Sequence, residues 1–286
     1  MQTIRYTSSF KHNTSATASR GAFLSLEDVR RAAPAIFAES AHESRSQRYG
    51  FVPTEKLLGG LMAEGFHPVS VSQAKSRTEG NENASKHLIR LRHAGSQQVG
   101  DVFPEVVILN SHDGSSSYQL MTGLFRLVCS NGLIACEGDM DSTRIPHKAN
   151  ALDRVIEGSC KIIQDMPQVV EKVMAMQSIT LSPPEITAFN HVALALRYQD
   201  TDKAPINEAS LNVARRWEDQ GNDLWRTLNR TQENLIRGGL HGYRRNAKGR
   251  QRLTTTRGIK GIDQTVAINR GLWVLAEEVR RLKSAA

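Results

Sequence analysis

Cysteine is scarce in this sequence. The three residues present, Cys129, Cys136 and Cys160, are odd in number and form no Cys-x-x-Cys pair. That argues against a disulfide framework and a structural zinc site, and points to a reducing, cytoplasmic setting. Long apolar runs are missing as well. Nothing approaches the ~18 residues that a membrane-spanning helix needs, so no membrane partner is expected. The first 20 residues have no continuous apolar core, so a secretory leader is not expected there. Walker A, G-x-G-x-x-G and H-E-x-x-H patterns are all absent, which leaves nucleotide hydrolysis and the common metalloprotease route without a signal. No cofactor and no metal are expected. What is present reads as globular: 286 residues, 39% hydrophobic and 23% charged, enough for one large domain or two modest ones.

The most informative absence is of acid between Arg237 and Lys260. Arg237, Arg244, Arg245, Lys248, Arg250, Arg252, Arg257 and Lys260 follow one another with no carboxylate among them. From Arg237 onward the chain carries 12 basic and 3 acidic residues, whereas the first 236 residues carry 25 and 26. The whole net charge of +8 therefore resides in the last fifth of the chain, the electrostatic footprint of a polyanion binder. Six glycines between Gly238 and Gly261, with no apolar periodicity, predict a long loop ordered by its partner. Tyr243 inside it is the stacking candidate. Trp217, Trp225 and Trp273 read as core residues at helical spacing.

The order of elements predicts an α+β fold, an antiparallel β-sheet of hairpins covered by a long helix, with a helical C-terminal part. Residues 1–20, rich in Ser, Thr and Asn, read as a flexible N-terminal arm. Residues 21–180 form the α+β core, and residues 181–286 a helical region containing the basic loop 237–260. Ser25, Thr54 and Ser182 are candidate helix caps. Strands are expected over the segments around Val69–Val71, Leu88–Leu91 and Val106–Leu109, and from Tyr118 onward. A helix spans about 149–177, with Pro167 predicting a kink or break. Its apolar stripe runs from Leu152 to Met174; the half from Val169 is expected to be free for a neighbouring subunit.

Three groups could carry chemistry. Ser111, His112, Asp113 and Ser115 have the residue types of a hydrolase, but adjacent side chains on a tight turn diverge, so the segment reads as a turn centred on Asp113-Gly114. Glu137, Asp139 and Asp141 could supply oxygen ligands to Mg²⁺, or could be a solvated acidic loop. Arg77, Lys86, Arg90 and Arg92 bracket the first hairpin. With a side-chain period of two, Arg90 and Arg92 share one face of a strand, which could follow a phosphate backbone or simply be solvated.

The stretch Asn110–Leu133, NSHDGSSSYQLMTGLFRLVCSNGL, resembles the signature of an uncharacterised phage- and plasmid-borne family, catalogued as a domain of unknown function. VPTEKLLGGLMAEGFHPV, HLIRLR, IPHKANALDRVIEG and DLWRTLNRTQENLI fit it too, and together they cover most of residues 45–240. The family label implies no activity. At the level of fold, hairpins followed by a long helix resemble the core of ring-forming single-strand annealing proteins of phage recombination. That resemblance, with the basic segment, implies an ATP-independent single-stranded DNA-binding protein that anneals complementary strands as a homo-oligomer, in a ring or helical array. RNA is a possible partner in place of DNA. The competing readings are a metal-dependent nuclease using Asp113, Glu137, Asp139 and Asp141, and a regulatory protein whose basic loop binds an acidic protein.

Overall fold

The computed structural model describes residues 4–8, 14–19, 21–45, 50–76, 82–96, 98, 102–126, 133–135, 144–146, 150–245 and 250–285. The chain divides into two compact units, Met1–Met166 and Pro167–Ala286.

The first unit is built on an antiparallel sheet. Its strands β1 (Ile4–Ser8), β2 (Thr14–Ala18), β3 (Phe66–Gln73), β4 (His87–His93), β5 (Val102–Asn110), β6 (Tyr118–Arg126) and β7 (Leu133–Ala135) lie side by side in chain order, and β8 (Arg144–Ile145) also pairs with β6. Every neighbouring pair is antiparallel, as a chain of hairpins requires. In β3, Val71 points into the core while Ser70 and Ser72 are half-buried, the alternation expected of a strand. The register shifts between Pro68 and Ser70, beside a proline with no N–H to give the ladder. Central β5 is buried along its length except at Phe103.

Helices α1 (Leu26–Ala32) and α2 (Thr54–Ala63) pack on one face. Ser25 caps α1 reciprocally with Asp28: the Asp28 N–H donates to the Ser25 hydroxyl at 3.2 Å, and the Ser25 N–H donates to the Asp28 carboxylate at 3.0 Å. The long helix α3 (Ala151–Ser178) adds Ala151 and Val155 to the same core, with Leu152, Ile156, Ile162 and Ile163 against it. Pro167 lies inside α3, which continues past it; the division between the two units falls there.

Two expectations are corrected here. Residues 1–20 are not simply an arm, because β1 and β2 form the edge of the sheet and Ala16 is fully buried in its core. The Thr14 hydroxyl anchors β2 by donating to the Ala32 carbonyl at 2.7 Å. Thr and Ser suit a pleated edge strand, and their polarity hid the alternation. The α3 stripe beyond Pro167 is not free either: Val169, Val170, Val173 and Met176 are buried within the chain. Met174 remains exposed.

The second unit contains α4 (Pro183–Ala195), α5 (Glu208–Leu211), α6 (Leu224–Arg237), β9 (His241–Arg245), β10 (Gln251–Thr255) and α7 (Ile262–Ser284). Ser182 and Glu185 form the capping box of α4, and Lys283 of α7 meets Glu185 at 2.6 Å. Before Gly238 the chain forms α5, a single 3-10 turn at Trp217–Asp219, and α6. Helix α6 is polar yet buried along all but two of its 14 residues. Several of its polar groups bond to neighbours: Thr231 donates to Asn190 at 2.6 Å, Gln232 to Asn269 at 2.6 Å, and Asn234 to the Leu211 and Val213 carbonyls at 2.9 and 2.8 Å. Among the described residues no helix is long and apolar enough to cross a membrane.

Candidate nucleic-acid interface

The signature turn after β5 is architectural. The Asp113 carboxylate accepts from the Ser115 N–H at 2.8 Å, and Ser111 Oγ accepts from the Ser116 N–H at 2.9 Å. Gly114 has φ +74°, as the Asp-Gly pair predicts, and the Arg45 side chain lies over it. Burial pushes the Asp113 carboxyl up, but hydrogen bonds from Ser115 and Ser111 and the nearby Lys86 charge hold it below its ordinary value.

His112 turns inward rather than toward a substrate. Thr54, His87, Asn110, His112 and Tyr118 are all fully buried and converge on one hydroxyl. Thr54 Oγ1 lies 3.2 Å from His87 Nε2, 3.1 Å from His112 Nε2 and 3.1 Å from the Tyr118 hydroxyl, and accepts from Asn110 Nδ2 at 3.1 Å. His87 Nδ1 faces the Ser85 carbonyl at 3.0 Å, so that nitrogen bears the proton, and in a neutral ring Nε2 accepts from Thr54. The Tyr118 hydroxyl donates to the Val52 carbonyl at 3.0 Å. This knot fastens α2 to strands β4, β5 and β6. Thr54 is therefore the first residue of α2 and a core hydrogen-bond hub; the cap position expected of it belongs to Pro53.

Arg90 and Arg92 do share one face of β4, but it is not a phosphate track. Both ion-pair with the fully buried Glu105 of β5, Arg90 at 2.9 Å and Arg92 at 2.6 Å, and their side chains are only 15% and 13% exposed. The Arg90 guanidinium stacks 3.1 Å from the Phe125 ring centroid and that of Arg92 4.0 Å from Phe103. Lys86 is half-buried just before β4. Arg77 lies outside the described residues, as do Glu137, Asp139, Asp141 and Lys248.

The basic loop is corrected in kind. Residues 241–245 and 251–255 form a two-stranded ribbon, β9 against β10, with Tyr243 opposite Leu253, Arg244 opposite Arg252 and Arg245 opposite Gln251. Facing residues in an antiparallel pair lie on the same side, so Arg244 and Arg252 stand together on one face. Tyr243 and Leu253 stand on the other, 60% and 64% exposed. Arg244 and Arg252 are exposed and have no acidic partner among the described residues. The loop reading failed because alternation between charged residues and a single Tyr or Leu carries no hydrophobic signal when neither face is covered.

The ribbon is held at its root. The Tyr243 N–H donates to the Pro205 carbonyl at 2.8 Å, and Gly242 permits that approach: a Cβ there would lie 1.8 Å from the Pro205 oxygen. Gly239 and Thr256 bond at 2.7 Å through their backbones, and Arg197 donates to the Leu235 and Arg257 carbonyls. Arg237 ends α6 with an ion pair to Glu233 at 3.1 Å. Arg250, Arg257 and Lys260 are exposed around the ribbon.

One functional candidate was missed. Trp225 and Trp273 are core residues, 2% and 1% exposed, but Trp217 is 80% exposed on the 3-10 turn before α6. Its flanks, Arg215-Arg216 before and Glu218-Asp219 after, leave it without apolar company, which is the signal that could have marked it.

The chain matches the family model "Domain of unknown function (DUF932)" over residues 41–273. It is 46% identical over 254 residues to UPF0380 protein YafZ of Escherichia coli (strain K12), covering 89% of this chain and 90% of that protein. It is similar to UPF0380 protein YfjQ of the same organism to the same extent, 46% over 254 residues. No solved structure matches the chain. The chain belongs to the DUF932 family, an uncharacterised one.

Proposed function

We propose that this DUF932 protein of phage or plasmid origin binds single-stranded DNA through the β9–β10 ribbon, in the cytoplasm and without ATP or another cofactor. Bound strands are presented for annealing by an oligomer of the protein. The observation that carries the reading is the cross-strand pair Arg244–Arg252. Like charges directly opposite repel, and a phosphate placed between them removes that repulsion. Contacts to phosphate release counterions and leave base edges free, which is what annealing requires of a binding protein. Tyr243 on the reverse face offers a ring on which a base can stack. Helix α6, which leads into the ribbon, is buried and so is not a helix for reading a groove.

The nuclease reading rests on four acids, of which Asp113 is engaged by Ser115 within its turn. An acidic protein partner would meet the same cations. The test is titration of fluorescent single-stranded DNA, duplex DNA and RNA oligonucleotides across a salt series, with particle mass measured in parallel. Tight, salt-sensitive binding to single strands and a species larger than a dimer on DNA are expected. Absence of salt-sensitive nucleic-acid binding overturns the reading, and Mg²⁺-dependent strand scission replaces it with the nuclease.

A further inference from the structure

Trp217 sits on a rigid frame. Its own carbonyl accepts from the Gln220 N–H at 3.0 Å, closing the turn. Arg216 beside it donates to the buried Asp219 at 3.2 Å and to Glu233 of α6. Arg226 donates to the Glu218 carbonyl at 3.2 Å, and Arg230 to the Asp219 carbonyl at 2.8 Å. Two guanidinium groups, of Arg226 and Arg230, thus hold the backbone just after the tryptophan, and the side chain of Arg216 just before it is tied to two carboxylates, while the indole stands in solvent. Nothing in this arrangement buries the ring; the turn holds it outward.

The frame is also tied to the ribbon. Arg215 Nε donates to Asn234 at 2.6 Å, and its terminal nitrogen donates to the carbonyl of Gly238, three residues before β9 begins. Glu233 binds Arg216 and Arg237 together. Trp217 follows Arg215 by two residues, a backbone span of at most ~7 Å, so the turn that carries it is tethered through the Arg215 side chain to the root of the cationic ribbon. The exposed Glu218 adjoins it, and Asp219 is consumed by Arg216.

We infer that Trp217 is a base-stacking residue, a second contact for the strand held by the ribbon, and the one that selects single strands over duplex. This rests on the ribbon reading above. A flat ring presented by a rigid turn beside cations suits an unstacked nucleobase, whose π-face pairs with indole regardless of sequence. Bases within a duplex already stack on each other and offer no free face.

The test uses the full chain and a thymidine oligonucleotide. Because the other two tryptophans are buried, Trp217 is the fluorophore a bound base can reach. Saturating oligonucleotide should quench the intrinsic emission, and Trp217→Phe should abolish the quenching. Trp217→Ala should weaken single-strand binding roughly 5- to 150-fold, with Trp217→Phe milder and duplex affinity unchanged. The inference is overturned if single-strand affinity and fluorescence are indifferent to Trp217 while Arg244→Ala/Arg252→Ala still weakens binding; the ribbon reading then survives alone. It is also overturned, in favour of a subunit contact, if Trp217→Ala lowers the mass of the DNA-free protein without any quenching in the parent. Absence of nucleic-acid binding by the unaltered protein sinks both readings.

Discussion

Arg90 and Arg92 on β4 differ sharply in fate from Arg244 and Arg252 on the ribbon, although each pair shares one face of a strand element. The β4 pair flanks a buried carboxylate, Glu105, and lies on aromatic rings. The ribbon pair faces solvent with no acid opposite. A strand's own period tells which side its cations share; the neighbouring strand decides whether they are spent. In the sheet the neighbour brings Glu105, and the arginines become structural. In the ribbon the neighbour brings another arginine, and the charge stays available to a ligand.

This contrast can be broken most forcefully at Glu105. Glu105→Gln would leave two nearly buried guanidinium groups uncompensated, at an expected cost of about 3–5 kcal/mol in urea denaturation. Arg244→Ala/Arg252→Ala should change stability by no more than about 0.5 kcal/mol in the same assay. Equal effects of the two changes would erase the distinction.

Thr54→Val sharpens the comparison on the buried side, since it keeps shape and deletes the hydroxyl on which Asn110, His87, His112 and Tyr118 converge. We expect a loss of about 1–3 kcal/mol with nucleic-acid affinity unchanged. His112→Ala, which a solvent-facing turn would tolerate, should destabilise as well, because His112 is fully buried.

The smallest effect is on pH. The Asp113 carboxyl is held below its ordinary value in the folded chain, so its contribution is complete above the unfolded pKa and is lost as pH falls through the folded one. Stability measured below about pH 4 should therefore decline less steeply in Asp113→Asn than in the parent.

Much of the sheet was legible because its signals are local. Val69 and Val71 alternate with serines, Asp113-Gly114 specifies a turn, and Ser25 with Asp28 marks a helix start. What escaped depends on distant partners. Ala16 is buried only because β3 accepts β2 beside it, and Thr54 is a hub because three strands bring their side chains to it. Glu105 meets Arg90 and Arg92 from 15 and 13 residues away. The ribbon was hidden for the opposite reason: both its faces are exposed, so no hydrophobic pattern announces it, and Gly242 with Pro205 fixes its root from outside the segment.

The central claim is that the ribbon arginines are spent on phosphates and the β4 arginines are not. It is tested most directly by the slope of log affinity against log salt for a single-stranded oligonucleotide. Each phosphate contact on a single strand contributes about 0.7 to that slope, so Arg244→Ala/Arg252→Ala, which removes the contact to the phosphate between them, should flatten it by about 0.7. A slope and affinity identical to those of the unaltered protein would contradict the account.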